Sequence, residues 1–180
     1  MKCFRNKKMC LLLIVIVFIT FLATNIINLN KDYKELANNN IRNSFISLIS
    51  YSSEINNKID EVLHSKEIYR KDLELIFYMH NQLIGEISNL QTTMEILGRN
   101  KVIQFNQFDV IQDLRVRVSK STVATVKLDE MELNMLQNLY KICEIIKSNL
   151  VWESEDMLDQ EKWITLISKV NDMCVEYLVD

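Results

Sequence analysis

Few side chains in this chain have the type and spacing that chemistry requires. Its two histidines, His64 and His80, lie sixteen residues apart, so neither has a second histidine at i+3 or i+4 with which to hold a metal from one helix face. A di-metal site inside a bundle needs repeated Glu-x-x-His pairs. Glu61 and His64 form one, but Phe77 stands three residues before His80, and a single copy is expected by chance. Only two glycines are present, Gly85 and Gly98, which rules out both a phosphate-cradling loop and a dinucleotide fingerprint. The acidic run Glu153, Glu155, Asp156, Asp159 and Glu161 lacks the alternating oxygen ligands and central glycine of a calcium loop, and reads as the start of a helix. No catalytic residue, cofactor or metal is expected, and the chain does not read as an enzyme.

The elements that position these residues are helical. Among 180 residues there is no proline, and 48% are hydrophobic, so helix breakers are nearly absent and an all-α class follows. The clearest signal runs from Ile41 to Leu97. Stepping by four and three gives Ile41, Phe45, Leu48, Ser52, Ile55, Ile59, Val62, Lys66, Tyr69, Leu73, Ile76, His80, Leu83, Ile87, Leu90, Met94 and Leu97, one face of a helix. Ile49, Leu63, Phe77 and Ile84 widen that stripe, which favours burial against two or more neighbours. The polar members Ser52, Lys66 and His80 recur every fourteen residues, a spacing that could fix register or partner number.

One uninterrupted helix over this stretch would be roughly 85 Å long, which is rare in a globular domain. Two helices sharing one seven-residue frame is a coincidence of about one in seven. A hairpin near residues 64–69, with Ser65 as a cap, is preferred. The alternative is one continuous helix over 30–97 with shorter C-terminal helices packed back on it. In the preferred reading an N-terminal transmembrane helix is followed by an antiparallel four-helix bundle over 41–180, with helices near 41–63, 69–97, 129–151 and 157–178. Asp129 and Glu132 form a capping box for the third of these, Gly98 suits the end of the second, and Trp163, Ile167, Val170, Cys174 and Tyr177 mark the face of the last. Residues 99–128 read as irregular or a short helix on Phe108, Ile111, Leu114 and Val118, with a hairpin over 114–126 as the competing pattern.

No charge occurs from Met9 through Asn30, and Leu11 to Ala23 is apolar almost throughout. Lys2, Arg5, Lys7 and Lys8 precede it without an acid, whereas Lys31, Asp32, Lys34 and Glu35 cancel after it. The positive-inside bias then puts a basic tail (1–8) in the cytoplasm, the anchor at 9–30 and the rest outside, at the cell membrane. A cleaved signal peptide competes, but the run is long for one and no small-x-small site lies near Ala23. An Asn-rich neck spans 31–40, and the asparagines at 38, 39 and 40 suggest that it is flexible there.

Charge divides the remainder. Residues 99–128 carry six basic side chains (Arg99, Lys101, Arg115, Arg117, Lys120, Lys127) against two acids, net +4, while 129–180 carry four basic and twelve acidic, net −8. Pairing of the two regions is the simpler reading, and contact of the basic strip with anionic headgroups or an acidic partner is the other. Cys143 and Cys174 are offset by about 10 Å along a hairpin folded near residue 155, too far to bridge, so two buried free thiols are expected. The function this implies is a single-pass membrane-anchored extracytoplasmic protein acting by protein contact, as scaffold, adaptor or accessory subunit. The alternative is a sensory bundle binding a small ligand between helices. The expected partners are the membrane, another membrane or envelope protein, or a second copy of the chain, and not nucleic acid.

Overall fold

The computed structural model describes residues 2–97, 109–151 and 162–179, with side chains from residue 15 onward except at 109–110 and 176–179. Nearly all of the described residues lie in five helices, and six lie in strand. The elements are α1 (Lys2–Ser65), β1 (Glu67–Tyr69), α2 (Arg70–Ile96), α3 (Asp109–Lys120), β2 (Thr125–Lys127), α4 (Glu130–Asn149) and α5 (Lys162–Val179). The chain divides into two compact units, 1–39 and 40–180.

The first unit is helical and belongs wholly to α1, which is long and apolar enough to cross a membrane. Large apolar side chains from Val15 to Leu29 are exposed, Val17 by 65% and Leu29 by 68%. The hydroxyls within the run are satisfied locally. Thr20 donates to the carbonyl of Ile16 at 2.5 Å and Thr24 to that of Thr20 at 2.8 Å, which removes the cost of placing them in an apolar medium. The flexible neck expected at 38–40 is corrected, because these residues are α-helical. Asparagine is a weak helix former, but it keeps its backbone donor, and nothing here breaks the ladder as proline or glycine would.

The second unit holds the core. Of the seventeen seam residues between Ile41 and Leu97, fourteen are buried, Leu97 is half-buried, and Lys66 and Tyr69 are exposed. The two exposed positions mark the break. Lys66 adopts φ 57, a left-handed conformation that ends α1, so the preferred hairpin is present and the continuous 30–97 helix is not. The Ser65 hydroxyl donates to the Glu67 carbonyl at 3.0 Å and accepts from the Glu67 N–H at 3.3 Å, stapling the turn. Two contacts define the helix pairing: Ser44 with Glu86, and Lys58 with Asp72 at 4.0 Å. Both are centred on position 65, which makes α1 and α2 antiparallel.

Residues 109–120, expected as irregular or a short helix, form α3, with Ile111, Leu114 and Val118 buried at i, i+3, i+7 spacing. It is a packed helix beyond the four expected. Arg115 reaches Glu74 while Arg70 reaches the Ser119 carbonyl, so α3 runs antiparallel to α2. The β-branched pair Thr125 and Val126 does form strand, but its partner is β1 and not the preceding residues, with Ile68 opposite Val126. The capping box at Asp129 and Glu132 starts α4, with hydrogen bonds of 2.8 and 2.9 Å. Trp163, Ile167, Val170 and Cys174 of α5 are buried in the same core. The proposed helix end at Gly98, the start of the last helix at 157–161 and Phe108 lie outside the described residues.

Candidate functional site

The three polar seam residues are not equivalent. Ser52 on α1 and His80 on α2 are buried in the core, whereas the Lys66 side chain is exposed on the turn. Lys66 therefore shapes the chain reversal and cannot act as a seam lysine. Burial pulls the His80 imidazole down to about 4, so it is neutral at physiological pH. Ser52 faces α4, where its hydroxyl lies beside the Cys143 thiol. Burial pushes that thiol up to about 12, and Cys174 is raised to about 12 by burial as well. Both cysteines are free, as expected. No cluster of three or more histidines, cysteines or acids able to hold a metal occurs among the described residues.

The basic strip is partly spent inside the molecule. Arg115 makes a two-pronged contact with Glu74, Nε to Oε2 at 3.0 Å and a terminal nitrogen to the same oxygen at 2.9 Å, and stacks 4.1 Å from the Phe77 ring centre. Arg117 pairs with the buried Glu132 and donates to the Lys127 carbonyl at 3.4 Å. The basic segment thus meets one acid of the acidic C-terminal region, Glu132, and one of α2. Lys120 and Lys127 remain exposed, and Arg99 and Lys101 lie outside the described residues. Beside this cluster Arg70 binds the carbonyls of Ser119 and Ser121. That contact bounds an open groove of about 560 Å³ lined by Tyr69, Lys71, Thr122, Val123 and others. Tyr69 and Val123 are 52% and 57% exposed there, an aromatic and an apolar surface among cations.

A second groove, of about 410 Å³, was not singled out from the sequence. Asn40, Asn43 and Ser44 of α1 face Glu86, Thr92 and Thr93 of α2 across it, with Asn89 and Ile96 completing the wall. Ser44 is buried, and its hydroxyl donates to Glu86 Oε2 at 2.7 Å. The Asn89 amide donates to the same oxygen at 3.4 Å. Thr92 and Thr93 donate their protons to the carbonyls of Ser88 and Asn89 at 2.9 and 2.8 Å. The signal was present as polar residues at three- and four-residue spacing beside the seam, but a polar flank is what any solvated helix shows. Searches of protein-family models, curated proteins and solved structures return no match for this chain, so the chemistry of these surfaces is argued from their own residues.

Proposed function

We propose that this is a single-pass membrane-anchored protein with its N-terminus in the cytoplasm, whose helical second unit stands outside as an antiparallel bundle and works by protein contact. The observation that carries the reading is the contrast along α1. Apolar side chains from Val15 to Leu29 are exposed, whereas those from Ile41 onward on the seam are buried. A stretch of exposed valine, isoleucine, leucine and phenylalanine finds its medium in lipid. The contact surface is the groove at Tyr69, Arg70 and Val123, where exposed aromatic and apolar groups sit beside cations, the composition that interfaces favour. A photo-crosslinker placed at Val123 in intact membranes should capture one reproducible membrane or envelope protein. Diffuse labelling without a recurrent adduct would contradict the reading.

A second reading, a sensory bundle holding a small ligand between helices, has one observation in its favour. The groove between α1 and α2 is polar, about 410 Å³ in volume, and organised by hydrogen bonds to a single carboxylate.

A further inference from the structure

Resting on that second reading, we infer that the groove between α1 and α2 takes a small organic cation bearing several N–H donors, such as a primary alkylammonium compound. The hydroxyl protons along this groove are already spent. Ser44 spends its hydroxyl proton on Glu86, Asn89 donates to the same carboxylate, and Thr92 and Thr93 spend theirs on carbonyls one turn back. Apart from the second N–H of the Asn89 amide, the α2 wall therefore presents acceptors: two threonine oxygens and a carboxylate whose Oε2 is already held in place. Among the described residues no lysine or arginine lines the groove, so the walls they form bring no cation to the negative charge of Glu86. An anion would be repelled, and a neutral polyol would leave the charge uncompensated. An ammonium group supplies a positive charge and three donors, and accepts nothing.

A divalent metal fits less well, because among the described residues one carboxylate is the sole charged ligand in the groove. The asparagine amides of Asn40 and Asn43 on the opposite wall can accept from or donate to the rest of the ligand, which suits a short chain carrying a second polar end. Holding the carboxylate through the buried Ser44 fixes its geometry before binding, which lowers the ordering cost.

The test uses the full chain in detergent micelles, titrated with putrescine, 1,4-butanediol, succinate and calcium chloride, with melting temperature as the readout. Putrescine should raise the melting temperature saturably, because a ligand bound to the folded state alone stabilises it, and added salt should weaken the effect. Glu86→Gln should weaken the apparent affinity about tenfold or more, since it keeps the shape and removes the charge. Thr93→Val, which leaves the carboxylate in place, should weaken it by about two- to fivefold, and serves if the Glu86 variant folds poorly. Stabilisation by butanediol or succinate equal to that by putrescine, or by calcium alone, would overturn the cation assignment while leaving a ligand groove. No saturable response to any of the four would remove both.

Discussion

Asn56 on α1 donates its side-chain amide to Glu144 Oε1 on α4 at 2.7 Å, and Lys147 reaches the same oxygen at 2.8 Å. Asn56 is 3% exposed, so a buried amide on one helix is tied to a half-buried carboxylate on another. Lys147 first and Asn56 second hold the Glu144 carboxyl below its usual range. A depressed carboxyl stabilises above its unfolded-state value and loses that contribution as pH falls through its folded value. Asn56→Ala should therefore lower stability by about 1 to 2 kcal/mol near neutrality, the partner's partial exposure limiting the loss. Urea unfolding of the full chain in micelles, followed by circular dichroism, measures it. An unchanged midpoint would remove this link between α1 and α4.

Lys66 carries the chain reversal at φ 57, where a residue with a Cβ is strained by roughly 1 kcal/mol. Lys66→Gly should raise stability by up to about 1 kcal/mol, less whatever entropy glycine adds to the unfolded chain. Lys66→Val, β-branched in the same conformation, should lower it by about 1 to 2 kcal/mol. Thermal unfolding of the two variants checks the order, and a stabilising valine would contradict the turn.

His80 sets a pH dependence of its own. Burial holds its folded-state value at about 4, below the unfolded value of about 6.5. Between those two values the unfolded chain binds a proton that the folded chain does not, so stability rises with pH across that window. It should be fully present above about 6.5 and fall by on the order of 2 to 3 kcal/mol as pH drops to about 4. His80→Leu should flatten that slope. A slope that persists in the variant would assign it to other groups.

Cys143 and Cys174 are buried thiols, each raised to about 12 by burial. Almost no thiolate exists at either position at pH 8, so a maleimide should modify neither until the protein unfolds. Mass spectrometry after native and denaturing labelling measures this. Rapid native modification, or a Cys143–Cys174 disulfide, would contradict the packing of α4 on α5.

The hairpin, the seam and the capping box were legible because each rests on local spacing. The 4-3 step from Ile41 to Met94 names the buried face almost residue by residue, and Asp129 with Glu132 states its cap in four letters. The small ribbon was not legible, since Ile68 and Val126 are separated by all of α2 and α3, and nothing local reveals such a pairing. The neck misled because three asparagines lower helix propensity without breaking a hydrogen bond. The basic strip, read first as pairing with the acidic C-terminal region, does so through Arg117, while Arg115 pairs with α2 instead. Net charge marks Arg115 and Arg117 as available, but their partners, Glu74 and Glu132, are supplied by tertiary packing. The polar groove was hidden for the same reason, because Ser44 and Glu86 are forty-two positions apart and meet through the α1–α2 hairpin.

The reading as a whole stands on α1 holding the chain in a membrane with the second unit on the outer side. Protease added to sealed cells, with a C-terminal tag as reporter, tests it directly. The account predicts that residues beyond 40 are digested from outside while the cytoplasm stays closed. A tag that survives in sealed cells and is lost only after lysis would contradict it.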